Sequence, residues 1–119
     1  MIKKYVDRIS REGFLNIFRE QERPEDWFSE EELRLHPFPK NAGSLAARYL
    51  VKKRILEQTR VNARMNEIQI LNDEYGKPEI VFDEKVKKEL KNKGIDEILC
   101  SLSHSRNHIV AMTIMENEF

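Results

Sequence analysis

Glu67-Ile68-Gln69-Ile70-Leu71-Asn72-Asp73-Glu74-Tyr75-Gly76-Lys77-Pro78-Glu79-Ile80-Val81-Phe82 decides what kind of fold this chain can have. Glu67 to Leu71 alternates polar and apolar side chains, the period of a half-buried strand. Asn72 to Lys77 carries turn chemistry, with Gly76 near its end, and Pro78 to Phe82 returns as a second strand. The stretch therefore predicts a hairpin.

On its N-terminal side, Asn41 or Ser44 opens a long helix that runs to about Thr59. On its C-terminal side, Asp83 caps an amphipathic helix with Val86 and Leu90 inward, closed by Gly94 after a lysine-rich last turn. Ile98–Leu102 and Ile109–Met115 are apolar runs suited to buried strands, joined by the polar turn Ser103-His104-Ser105-Arg106-Asn107.

Nearer the N-terminus, Ser29 and Glu32 have capping-box spacing, and Phe28 and Leu33 can form a hydrophobic staple. That helix must stop before Pro37, where Pro37-Phe38-Pro39 makes an extended connector. In the first eighteen residues, Val6, Ile9, Phe14, Ile17 and Phe18 stand at mostly helical spacing. They predict a helix or a pair of helical turns, with Gly13 as a weak point, broken by Arg23-Pro24-Glu25-Asp26-Trp27. Helices, hairpin, helix and hairpin in that order predict an α+β fold. It has an antiparallel sheet packed against a long helix, in a single domain over residues 1–119.

Composition narrows the function classes. The 119 residues suffice for one core and fall short of two. Lysine plus arginine and aspartate plus glutamate number 21 each, so no overall basic field argues for nucleic acid. The single cysteine, Cys100, forms no internal disulfide and sits in an apolar run, which predicts a small core residue. No apolar stretch approaches the ~20 residues of a membrane span and no signal-peptide core is visible, so a cytoplasmic location is expected. Cys100, His104 and His108 are spaced like ligands but span a strand, a turn and a strand start, and His36 is remote. No zinc site is expected.

Three ordered segments carry a resemblance. The first is Phe28-Ser29-Glu30-Glu31-Glu32-Leu33, followed by Ser44-Leu45-Ala46-Ala47-Arg48-Tyr49. The second is Asn72-Asp73-Glu74-Tyr75-Gly76-Lys77-Pro78, an N-D-x-x-G-K-P turn. The third is Ser101-Leu102-Ser103-His104-Ser105-Arg106, an S-[IL]-S-H turn before an apolar strand. Together, across residues 28 to about 115, they resemble the holo-acyl-carrier-protein synthase family of short phosphopantetheinyl transferases.

The resemblance implies transfer of the phosphopantetheine arm of coenzyme A to a serine of an acyl carrier protein, releasing 3′,5′-ADP. Such enzymes serve fatty acid biosynthesis. Magnesium neutralises the pyrophosphate, so positioning and charge do most of the work. The resemblance also implies a homotrimer with coenzyme A in clefts between subunits. It assigns Arg48 to the coenzyme A phosphates, for which a guanidinium fork is well shaped. It assigns His104 to the nucleotide end of the ligand, and Lys77 and Pro78 to the adenine side.

The family's magnesium ligands do not carry over. They are an aspartate in an opening G-x-D-I strand and the glutamate of a K-E-A helix motif. With Val6-Asp7-Arg8-Ile9 set against the end of the strand motif, Ile2 takes the aspartate's place and Asp7 falls five positions too late. The helix reads Lys52-Lys53-Arg54, which puts an ammonium where magnesium requires oxygen. One turn on, where the family has a lysine, stands Glu57, so Lys53 and Glu57 exchange the family's charges on one helix face.

Three readings of that exchange stand open: a plain helix ion pair, Glu57 as a displaced metal carboxylate, and Lys53 in the metal's place against phosphate. The family's G-T-G-I-G loop is also replaced, by Thr59-Arg60-Val61-Asn62-Ala63-Arg64-Met65. Arg60 and Arg64 could meet phosphate only by side chain. The expectation is a divergent homologue that binds coenzyme A, a carrier protein or both, with standard transfer impaired or lost. The alternatives are an active transferase with metal ligands from Glu57, Asp73 or a neighbouring subunit, and a non-catalytic carrier-binding module.

Overall fold

The computed structural model describes residues 1–20 and 22–118. Its strands are β1 (Ile2–Ser10), β2 (Gln69–Asn72), β3 (Pro78–Val81), β4 (Ile95–His104) and β5 (His108–Asn117). Its α-helices are α1 (Arg11–Ile17), α2 (Pro24–Trp27), α3 (Glu30–Leu35), α4 (Ala42–Thr59) and α5 (Glu84–Asn92). Both predicted hairpins form. β2 pairs antiparallel with β3, and β4 with β5. The fold is α+β, as expected.

The N-terminal segment departs from the sequence expectation. Ile2–Ser10 is a strand, antiparallel to β5 from Ile2↔Glu116 to Ser10↔His108, and the sheet order is β1-β5-β4. Helix begins only at Arg11–Ile17, capped by the Ser10 hydroxyl, which accepts from Gly13 N at 2.9 Å, and a 3-10 turn at Phe18–Glu20 continues it. Two helix-spaced residues, Val6 and Ile9, were too few to outweigh a full ladder with β5. Tertiary pairing overrides such local preference.

Helix α4 lies on one face of the sheet, over Ile109, Ala111, Thr113 and Met115 of β5, all buried. Ala46 and Ala47 are fully buried and keep the approach close. The opposite flank of α4 meets α1, where Phe14 packs against Phe28 and Tyr49. Trp27 stacks on Tyr49 with ring centroids 4.5 Å apart. A helix covered on several sides is apolar over most of its surface, and any polar residue it turns inward must find a partner there. Here such residues include Arg48 and Lys52.

Lys52 and Glu32 are both fully buried, and Lys52 Nζ donates to Glu32 Oε1 at 2.5 Å and to the Trp27 carbonyl at 2.8 Å. Glu32 also completes the predicted capping box, accepting from Ser29 N at 2.9 Å while its own amide donates to Ser29 Oγ. Its second oxygen accepts from Ile70 N of β2 at 3.0 Å. One carboxylate thus joins the start of α3, the middle of α4 and the inner hairpin. Burial pushes the Lys52 ammonium down to about 8 against the pull of Glu32, so it stays charged at neutral pH.

Lys52→Met should therefore cost about 3–5 kcal/mol, because it leaves Glu32 charged and unpaired in the interior. Urea denaturation followed by circular dichroism measures this directly. A loss below about 1 kcal/mol would mean the pair carries no structural weight.

Candidate functional site

Two groups of side chains lie at different places along α4. The first is at its N-terminus. The His104 ring, at the end of β4, rests against this turn: a Cβ built on Gly43 would lie 3.1 Å from His104 Nδ1. Ser44 Oγ is 3.4 Å from His104 Nε2. Gly43 is thus the residue that lets the ring sit flush on the helix. His36 lies near, and burial holds its imidazole below the usual histidine range, helped by the charge of Arg48 and by His104.

Arg48 is brought to this end but used inward. Only 4% exposed, it donates from Nε to the Ile70 carbonyl at 2.9 Å, from Nη1 to Ser44 O at 3.1 Å and from Nη2 to Asn72 Oδ1 at 3.2 Å. These three contacts make Arg48, which the resemblance assigned to coenzyme A phosphates, a strut between α4 and the β2–β3 hairpin, with two of its five N–H donors left over. The physical reason is that the Ile70 carbonyl is a buried backbone acceptor, which needs a donor.

Lys77 and Pro78 stand beyond the hairpin turn. The turn is locked by Asp73, whose Oδ1 accepts from Tyr75 N and Lys77 N at 2.8 and 2.9 Å, and Gly76 takes φ 81°. Both residues line a cleft of ≈ 710 Å³ between β3, α5 and β4. Cys100 is on its wall, half-buried, with its thiol pushed up to about 11 by burial. It is protonated at neutral pH and no nucleophile.

The second group flanks the middle and end of α4. Lys53 and Glu57 form the predicted i, i+4 pair at 4.0 Å, with side chains 52% and 50% exposed. Lys53 also lies 5.9 Å from the Tyr49 ring centroid. Beside it, Arg54 makes a two-pronged contact with Asp7 of β1: Nε to Oδ2 at 3.0 Å and Nη2 to Oδ1 at 2.5 Å. Tyr5 stacks under the guanidinium at 4.9 Å and donates from its hydroxyl to Gln58 at 3.1 Å.

The motif position at Ile2 and the only carboxylate of β1, Asp7, lie on opposite faces of the sheet. Ile2 is exposed at the start of β1, in a recess with Leu99 and Ile114 on the sheet face away from α4. A ligand shared with residue 53 must point at α4, and Asp7 does so.

The segment after α4 has no free amide for an anion. Arg60 N donates to Leu56 O, Val61 N to Thr59 Oγ1, Asn62 N to Glu89 Oε2, Ala63 N to Val61 O and Arg64 N to Glu67 Oε1. Arg60 keeps a left-handed backbone, φ 53°, the conformation for which glycine is favoured. The segment offers no cradle of backbone amides for a phosphate.

No protein-family model matches the chain. A curated holo-acyl-carrier-protein synthase of Fusobacterium nucleatum is 34% identical over 115 residues, 96% of this chain and 90% of that protein. Another, from Caldanaerobacter subterraneus subsp. tengcongensis, is 34% identical over 114 residues, 95% of this chain and 84% of that one. This chain belongs to the holo-acyl-carrier-protein synthase family.

The fold agrees. The ACPS–CoA complex of Chronobacterium ammoniagenes has a TM-score of 0.81 at 21% identity, covering 100% of this chain and 99% of that one. The synthase of Neisseria meningitidis has a TM-score of 0.80 at 23% identity, covering 98% and 100%.

Against that family, the residues at the magnesium place do not fit the ion. Both Asp7 oxygens are held by Arg54, and Lys53 offers only N–H donors. Glu57 is turned to Lys53, and no cluster of three or more histidine, cysteine, aspartate or glutamate side chains occurs among the described residues.

The two ion pairs should separate cleanly in double-mutant cycles. Asp7 and Arg54 are 19% and 24% exposed and bidentate, so their coupling should be about 1–2 kcal/mol. Lys53 and Glu57, half exposed, should couple by no more than about 0.5 kcal/mol. Equal couplings would contradict the geometry.

Proposed function

We propose that this chain is a family member that binds coenzyme A and an acyl carrier protein, with magnesium-dependent phosphopantetheine transfer lost or strongly impaired. The observation that carries it is the exchange on α4. Lys53 and Arg54 put two cations where the family has one carboxylate, and Arg54 ties up the strand carboxylate. Ligand binding is supported by a retained nucleotide end: His104 against Gly43 and Ser44, and Lys77 and Pro78 beside an intact N-D-x-x-G-K-P turn.

The arrangement also supports the homotrimer. Ser44 and Lys53 are nine residues apart. At ~100° and ~1.5 Å per residue they point to opposite sides of α4, about 13 Å apart along it. One ligand meets both groups when it lies between copies of the chain. The sheet face away from α4 provides a surface for that contact. Val6 and Leu99 are exposed there beside Met112 and Ile114, their ladder neighbours across β5. An uncovered apolar sheet face of this kind marks an association surface. No helix among the described residues is long and apolar enough to cross a membrane.

Incubating the protein with coenzyme A, magnesium and an apo carrier protein, then weighing the carrier by intact mass spectrometry, tests the loss of transfer. The expected result is an unchanged carrier mass. A carrier bearing the phosphopantetheine arm would show a working transferase and sink this reading.

Light scattering on the eluting protein should return the mass of three chains, and Met112→Asp, which buries a charge in the apposed faces, should lower it to one. A monomeric wild type would remove the proposed cleft between subunits.

A further inference from the structure

In the family pattern the middle residue of K-E-A holds a metal and the last is an alanine. Here both have changed, to Lys53 and Arg54, and the larger change in shape is at Arg54. Its guanidinium spans the gap from α4 to β1 and takes both oxygens of Asp7, while the Tyr5 ring lies against its face. An arginine fork is rigid and always charged, so it holds a carboxylate as a divalent ion would, without exchanging. Lys53 stands beside it, half exposed, with a 4.0 Å contact to Glu57 and its ammonium 5.9 Å from the Tyr49 ring centroid. Asp7, Lys53, Arg54 and Glu57 together balance two carboxylates with two cations, so the site is neutral with no added ion.

We propose that the Arg54 guanidinium, not a divalent cation, neutralises Asp7, and that Arg54 with Lys53 forms a metal-independent contact for the phosphates of a bound ligand. This rests on the coenzyme-binding reading above for the ligand's identity. Side chains must make the contact, because every amide from Arg60 to Arg64 already has an acceptor. Lys53 is free to move off its long contact with Glu57. Arg54 keeps Asp7 through Nε and Nη2 and presents Nη1, which makes no hydrogen bond to another side chain among the described residues.

Two measurements test this separately. The first is a manganese titration of the protein alone, read by the electron paramagnetic resonance signal of the free ion. The wild type should leave the signal unchanged, and Lys53→Glu combined with Arg54→Ala, which frees Asp7 and restores a second carboxylate, should deplete it. Manganese binding by the wild type overturns the proposal. So does a folded double variant that takes up none, since Asp7 would then not be what Arg54 masks.

The second is calorimetric titration with coenzyme A in chelator and in magnesium. Equal affinity is expected, falling about tenfold or more in Lys53→Ala, an exposed and fold-neutral change. Binding that requires magnesium overturns the inference. Absence of coenzyme A binding under both conditions would sink the ligand assignment, and the manganese titration would still decide the cation question.

Discussion

The buried pair of Lys52 and Glu32 is the constraint around which the rest of the chain is arranged. Two opposite charges without solvent exposure are tolerable only when every remaining lone pair and proton is used. That requirement is largely met by groups from four places, Ser29 N, the Trp27 carbonyl, Ile70 N and the pair itself, with the Phe28 ring 4.8 Å from the ammonium. Each partner fixes an element. Ser29 starts α3, Trp27 ends α2, and Ile70 sets the height of β2 against α4. Arg48, one turn earlier on α4, repeats the device by donating to the Ile70 carbonyl. Ile70 therefore has both backbone groups claimed by charged side chains, and the inner hairpin is held by charge as well as by burial of Ile68 and Ile70.

Local chemistry was the readable part of this fold. The capping box at Ser29 and Glu32, the Asp83 cap of α5 and the Asp73–Gly76 turn depend on residues within four positions of each other, and all three form. β1 was not readable in the same way. Its outward face carries Lys4 and Arg8 and its inward face Asp7, so alternation of hydrophobicity is blurred. What makes it a strand is the ladder to β5, about a hundred residues away. The helix spacing that replaced it came from residues divided between a strand and a helix that follow one another without a loop.

The site was legible in its substitutions and hidden in its partners. The Lys53–Glu57 pair follows from spacing alone. The role of Asp7 does not, since it depends on which face of β1 meets α4. Arg48 shows the same limit from the other side. Its residue type suits phosphate, and nothing in its neighbours along the chain announces that three of its donors go to Ser44, Ile70 and Asn72. Glu89 is a further participant that spacing could not supply. It sits on α5, 27 residues from the Asn62 amide it accepts from.

On the proposed reading, the Lys52-Lys53-Arg54 run explains how a metal site can be rewritten without loss of the fold. Consecutive helical residues point ~100° apart, so three neighbours in sequence address three different surroundings. Lys52 turns into the Glu32 network, Lys53 to the half-exposed flank over Tyr49, and Arg54 to β1. The first position is bound by the cost of an unpaired buried charge, and the family's lysine remains there. The other two are exposed enough that replacing a carboxylate by an ammonium, and an alanine by an arginine, costs the fold little. A new cation beside Asp7 even gains a bidentate partner. Fold and metal chemistry are thus carried by different residues of one short motif, and selection on one leaves the other free to change.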